Sequence, residues 1–175
     1  VMVFDSEGNF LKSWGEGQMV FPHAVYVDSS DNVWLVDNHA GVATKHTTDG
    51  KLLLTLGKKG FRSNTGVPDD YFKSDAFEQV THGGPPFNLP AGIAVAPSGN
   101  IFVADGYGNS RVHKFTSEGT LIKSWGEPGK GPGQFNLPHG LWVDSRGRLL
   151  VADRENDRIQ AFSQDGDFLD QWNLD

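Results

Sequence analysis

The chain has 175 residues, and its 15 basic and 22 acidic side chains give a formal net charge of -7, which argues against a phosphate-tracking surface and a nucleic-acid partner. No apolar run approaches the ~20 residues of a membrane span, so no membrane partner is expected. The absence of cysteine excludes disulfides, thiolate zinc sites and a cysteine nucleophile, and leaves the compartment open.

In chain order, Val1-Met2-Val3-Phe4-Asp5-Ser6-Glu7-Gly8-Asn9-Phe10-Leu11-Lys12-Ser13-Trp14-Gly15 reads as strand, turn, strand. The same pattern returns from Val112 to Gly126 and from Ile159 to Trp172. The first residues carry neither an initiator methionine nor a signal-peptide pattern and read as the middle of a repeat, so localisation stays unknown. Next comes Phe21-Pro22-His23-Ala24-Val25-Tyr26-Val27-Asp28, then Asn32-Val33-Trp34-Leu35-Val36-Asp37, then Lys51 to Gly57. Leu89 to Ala96, Asn100 to Asp105 and Arg111 to Gly126 repeat that order. Leu137 to Asp144, Leu149 to Asp153 and Arg158 to Trp172 repeat it again. Each unit holds four short apolar strands over roughly 40 residues, the period of a propeller blade.

Asp37 to Asp105 spans 68 positions and Asp105 to Asp153 spans 48, so the first interval carries 20 extra residues. They fall between Lys58 and Phe87, a Gly/Pro/Asp-rich stretch read as a surface excursion with at most a turn or two of helix around Asp69 to Phe77. The chain thus divides into the end of a preceding blade (1–17), a blade (18–57), a long insertion (58–86) and two further blades (87–126 and 135–173). Runs such as Val-Trp-Leu-Val suit strands buried on both faces. Asp49-Gly50, Glu118-Gly119 and Asp165-Gly166 mark hairpins whose glycine takes positive φ.

The motifs Pro-His/Ala-Gly-hydrophobic, Val-Ala-Asp, Asn-x-Arg-Val/Ile and hydrophobic-x-x-Trp-Gly resemble the NHL repeat family of β-propellers. The resemblance implies an all-β fold of four-stranded blades: about three blades plus a leading hairpin, part of a six-bladed ring. A chain of three blades that is the whole molecule would self-associate to cover its edges.

The innermost strand of each blade starts beside the axis, so equivalent positions converge there. His23, Ala91 and His139 are such equivalents, each directly after proline. On alternate blades of a six-bladed ring they stand about 120° apart, a trigonal arrangement that suits zinc with an open fourth position. The bland reading is a pair of strand caps bonded to neighbouring blades. The loops after Val-Ala-Asp open on the same face. Asp-to-turn-Gly spacing is 13 in the first and third units and 14 in the second, where Gly106 and Gly108 flank Tyr107. Glycine flanks let a loop lean toward a ligand, and a phenol is a proton donor or acceptor that a nearby cation activates. Tyr107 alternatively only covers the end of its blade. Asp37, Asp105 and Asp153 recur in every unit and read as caps on backbone N–H groups rather than catalytic acids. Asn109/Arg111 and Asn156/Arg158 read as pairing between blades. His39, His46, His82 and His113 are further candidate ligands, each expected instead at the surface.

Residues 103–111, 133–139 and 151–160 carry a closer resemblance, to the peptidyl-α-hydroxyglycine α-amidating lyases of peptide C-terminal amidation and their bacterial relatives. It implies that His23 and His139 are two of three zinc ligands, that Tyr107 is catalytic, and that the backbone carbonyl of Val25 serves a structural calcium. Gly108 and Ala161 stand where the animal enzymes have a paired disulfide. The family's substrate-binding arginine falls before Val1, and its third zinc histidine after Asp175. The implied partner is a peptide or small-molecule substrate, cleaved to a peptide amide and glyoxylate. The alternatives are a non-catalytic NHL propeller that binds protein or peptide, and a calcium-dependent lactonase-type propeller with carboxylates around the axis.

Overall fold

The computed structural model describes residues 1–174. The described residues are almost entirely strand and turn. Strands β1 (Met2–Phe4) and β2 (Phe10–Ser13) form a hairpin. Three four-stranded antiparallel sheets follow, each in simple up-and-down order. The first contains β3 (Pro22–Val27), β4 (Val33–Asp37), β5 (Val42–His46) and β6 (Leu52–Gly57). The second contains β7 (Gly92–Val95), β8 (Ile101–Asp105), β9 (Arg111–Phe115) and β10 (Leu121–Trp125). The third contains β11 (Pro138–Val143), β12 (Leu149–Asp153), β13 (Arg158–Phe162) and β14 (Phe168–Asn173). These sheets are β-propeller blades. Their innermost strands β3, β7 and β11 pack on one another in series, which turns the starts of all three toward one axis.

Burial explains the strand sequences. β4 and β8 are buried along their whole length, covered by neighbouring blades on both faces, so apolar residues run continuously instead of alternating. Trp34, Val36, Leu56, Phe87, Ile93 and Val103 fill the space between the first and second blades. Phe102, Val112, Trp125, Phe135, Val151 and Phe162 fill that between the second and third. Phe87 and Phe135 occupy equivalent positions and are fully buried. The closing glycine of the preceding blade makes room for each. Gly126 sits at φ 101°, and a Cβ there would run into the Phe135 ring. That is the physical content of the hydrophobic-x-x-Trp-Gly motif.

The recurring aspartates cap backbone, as their position implies. Asp37 accepts the N–H groups of Val20, Phe21 and Ala40 at 2.7–3.1 Å. Asp105 accepts that of Asn88 at 2.9 Å, and Asp153 that of Asn136 at 2.7 Å. Each carboxylate thereby ties the segment entering β3, β7 or β11 to the end of the next strand. The recurring Asn and Arg side chains hold the connections between blades: Arg158 reaches the carbonyls of Lys130, Gly131 and Gln134 at 2.7–3.0 Å.

Two expectations change. His46 and His113 are buried rather than at the surface. His113 Nδ1 meets Ser124 Oγ at 2.7 Å and Nε2 meets Asp105 Oδ2 at 3.1 Å, so both ring nitrogens have partners and the core accepts them. His46 is satisfied by Thr44 Oγ1 and the Gly50 carbonyl. Residues 58–86 form a single short 3-10 turn, Ala76–Gln79, yet they do more than run over the surface. Val67, Ala76 and Leu89 make a small core of their own, against which Tyr71, Val80 and Tyr107 pack.

Candidate functional site

The geometry follows from where the loops begin. His23 and His139 are the second residues of β3 and β11, so their side chains project from the axial ends of the innermost strands. Their rings lie 4.9 Å apart, centroid to centroid, nearly edge to face. Tyr107 follows β8 and enters the same hollow from the blade between them. Its Oη is 3.3 Å from His23 Nε2 and 3.3 Å from His139 Nε2. Residues 84 and 32 positions apart in sequence from Tyr107 thus share one oxygen.

The loop that delivers Tyr107 is shaped by close packing. A Cβ at Gly106 would collide with the backbone of Pro138, immediately before His139, and one at Gly108 would collide with Asn88. The Tyr107 N–H is held by the Leu89 carbonyl at 3.3 Å and the Gly108 N–H by the Asn88 carbonyl at 3.0 Å. The insertion adds a clamp: Thr65 Oγ1 donates to the Gly108 carbonyl at 2.6 Å, and Asn88 Nδ2 donates to Thr65 Oγ1 at 2.9 Å. Leu89 and Leu137, each directly before the proline of its blade, adopt φ 60°. For leucine this left-handed backbone is strained, and it sets the angle at which β7 and β11 leave the axis.

A cation was missed in the sequence. Arg154, the first residue after β12, places its Nη1 3.1 Å from Tyr107 Oη. Its backbone N–H bonds the Leu137 carbonyl at 3.2 Å, so the loop position after Val-Ala-Asp is pinned beside the strand that carries His139. The signal available was positional equivalence. Arg154 follows Val-Ala-Asp as Gly106-Tyr107 does one blade earlier, and only the shared face distinguishes it from other exposed arginines.

Hydrogen bonding settles part of the electrostatics. His23 Nδ1 is 2.7 Å from the Ala91 carbonyl, which can only accept, so the proton sits on Nδ1 and Nε2 presents a lone pair. Burial, helped by the facing His23 ring and the Arg154 charge, lowers the His139 pKa to about 4. His139 is therefore neutral at neutral pH. Tyr107 has one proton to share between two imidazole nitrogens, so the second carries its own hydrogen or faces a cation. Two imidazoles converging beside a phenol oxygen have the chemistry that zinc takes as nitrogen and oxygen donors. Among the described residues no group of three His, Cys, Asp or Glu gathers around one point. Val25 stands two residues past His23, 65% exposed and with its backbone in register with Leu35.

The depressed His139 pKa has a measurable consequence. An unfolded histidine titrates near 6.5 and the folded one near 4, so in that interval the unfolded chain binds a proton that the folded chain does not. Stability is complete above pH 6.5, falls as the pH drops toward 4, and levels off below. Discounted for the half-exposed ring, the loss is about 1–2 kcal/mol. Urea midpoints of chelator-treated protein across that range should show a fall that is reduced in His139→Gln. Identical pH profiles for the two proteins would contradict the assignment.

The NHL repeat family model matches residues 87–115 and 135–162. These are NHL-type blades of a β-propeller. Among curated proteins the chain resembles human NHL repeat-containing protein 3, at 32% identity over 99% of this chain and 48% of that protein. It also resembles peptidyl-alpha-hydroxyglycine alpha-amidating lyase 1 of Drosophila melanogaster, at 35% identity over 94% of this chain and 29% of the enzyme. The chain thus spans about half the length, or less, of the curated relatives it matches. Virginiamycin B lyase from Staphylococcus aureus, a catalytically inactive H270A form solved with quinupristin, superposes with a TM-score of 0.63 at 17% identity, over 99% of this chain and 48% of that one. At that identity the likeness is one of fold.

Proposed function

We propose that this chain supplies the proton-handling and part of the metal-binding machinery of a lyase that cleaves peptidyl-α-hydroxyglycine to a peptide amide and glyoxylate. The observation that carries the reading is the single oxygen of Tyr107, 3.3 Å from both imidazole nitrogens and 3.1 Å from the Arg154 guanidinium. Similarity to the Drosophila lyase over 94% of this chain supports the same reading.

The reaction breaks the C–N bond of a hemiaminal. The hydroxyl loses its proton, the C–O bond becomes the aldehyde of glyoxylate, and the departing nitrogen gains a proton to become the primary amide. Tyr107 Oη is the atom placed to move that proton, at the focus of the three neighbouring groups. His23 and His139 would hold a zinc ion through Nε2, and the ion would supply Lewis-acid polarisation of the hydroxyl. The carbonyl of Ala91 keeps the His23 tautomer correct for that role. Arg154, exposed and cationic beside Tyr107, is placed to attract the carboxylate of the substrate, which a chain of net charge -7 otherwise repels. Val25 would offer its carbonyl to a structural calcium.

A second reading, a propeller that binds protein or peptide without catalysis, draws support from the similarity to NHL repeat-containing protein 3. One experiment separates them. Purified protein loaded with zinc is offered an N-acyl α-hydroxyglycine peptide and glyoxylate is measured, with and without chelator. Chelator-sensitive glyoxylate release supports the lyase; no release above the uncatalysed rate with zinc bound leaves the binding propeller.

A further inference from the structure

Beside Tyr107 and His23 lies an open cleft of about 370 Å³, also lined by Phe21, His39, Phe72 and Lys73. Its size falls within the range of small-ligand sites. Phe21 stacks on His39 with centroids 4.4 Å apart and planes at 15°, and His39 meets Phe72 at 5.0 Å. Three rings thus form a continuous wall. Phe21 and Phe72 remain 48% and 42% exposed, in a molecule that buries Phe87, Phe102, Phe135 and Phe162 completely. Desolvation lowers the His39 pKa, so the middle ring is neutral and the wall stays apolar.

The wall is built rather than accidental. Phe72 belongs to the insertion, whose Arg62 guanidinium sits 4.6 Å from the Phe72 ring centre. Arg62 in turn donates to the Asp69 and Tyr71 carbonyls at 2.8 and 3.0 Å and to Asn88 Oδ1 at 2.8 Å. The same Asn88 packs against Gly108, beside Tyr107. One network therefore positions both the phenol and the aromatic wall, fixing their separation.

We infer that the Phe21–His39–Phe72 wall is a subsite for an aromatic or long aliphatic side chain, that of the residue preceding the α-hydroxyglycine in the substrate. The inference rests on the proposed lyase reading for the identity of the peptide. Tyr107 and His23 line the cleft and also form the candidate site, so a substrate with its reacting carbon at Tyr107 Oη has its next residue, about 3.3–3.6 Å further along an extended chain, inside the cleft. Apolar surface offered by two half-exposed phenyl rings next to a reacting centre selects an apolar occupant.

The test compares N-acetyl-Phe-α-hydroxyglycine with N-acetyl-Gly-α-hydroxyglycine in the wild type, Phe72→Ala, Phe21→Ala and Phe72→Leu. The expected preference in kcat/KM for the phenylalanine substrate is roughly tenfold or more. It should fall severalfold in either alanine variant, survive largely in Phe72→Leu, and leave the glycine substrate nearly unaffected. Calorimetric titration of chelator-treated protein with unreactive N-acetyl-Phe-Gly and N-acetyl-Gly-Gly reads the subsite without turnover. Tighter binding of the phenylalanine ligand, lost in Phe72→Ala, supports the subsite even where no glyoxylate forms and the lyase reading has failed. Equal binding of the two ligands, or a preference unchanged in both alanine variants, overturns it.

Discussion

Under the proposed lyase reading, Tyr107→Phe is expected to lower glyoxylate release by about 10²–10⁴-fold, the usual contribution of a positioned proton-transfer group. The substitution deletes one oxygen and keeps the ring, which packs against the insertion core of Val67, Ala76 and Leu89. The loop itself is held by main-chain bonds from Tyr107 and Gly108 to Leu89 and Asn88, which the variant retains. Its unfolding midpoint should therefore stay close to that of the wild type. Zinc content should also change little, because His23 Nε2 keeps its lone pair through the Nδ1 bond to Ala91. Loss of turnover with metal and fold retained identifies the phenol oxygen as the proton-handling atom. A variant that keeps more than about a tenth of wild-type kcat would remove Tyr107 from the chemistry.

The largest stability effect is expected at Asp153→Ala, about 3–5 kcal/mol, read as a shift in the urea midpoint. Asp153 is fully buried and accepts from the Asn136 N–H at 2.7 Å, Asn156 Nδ2 and Arg158 Nε at 2.8 Å, and Gln160 Nε2 at 3.1 Å. Arg158 is itself only 5% exposed, so removing the carboxylate leaves a buried guanidinium without its counter-charge. Its bonds to three main-chain carbonyls satisfy donors but supply no negative charge. Asp153→Asn keeps an acceptor and should cost less than the alanine change. Asp170→Ala, on an exposed strand, should stay within about 0.5 kcal/mol of wild type. Equal midpoints for Asp153→Ala and Asp170→Ala would show that the cap and the ion pair are dispensable.

Much of this was legible in the sequence because repeats report equivalence. The Pro-His spacing put His23 and His139 at one repeat position, and the extra residue beside Tyr107 marked a loop unlike its counterparts. The aspartates, present in every unit, read as caps and are caps. Arg154 escaped notice because an arginine beside a glutamate in a turn looks like ordinary surface, and nothing local says that it faces Tyr107 from the next blade. His113 was misplaced for a related reason. Its buried partners, Asp105 and Ser124, come from the two strands flanking β9, and a histidine alone in a strand does not announce them. The insertion looked like a surface detour because it lacks strand periodicity. Its contribution lies in Thr65, Arg62 and Phe72, individually unremarkable residues that brace the Tyr107 loop and wall the cleft.

By itself the sequence determined the four-stranded unit, its repetition, the turns and the residues brought to the axial ends of the inner strands. Those depend on short apolar runs, turn chemistry and packing between near neighbours, all written within some forty residues. Only the tertiary structure decided that two imidazoles, a phenol and a guanidinium share one point, and that an aromatic wall from the insertion stands beside it. Such distances arise from how far each blade rotates against the next and how closely glycine lets the loops approach, quantities summed over many long-range contacts that no local stretch of chain encodes.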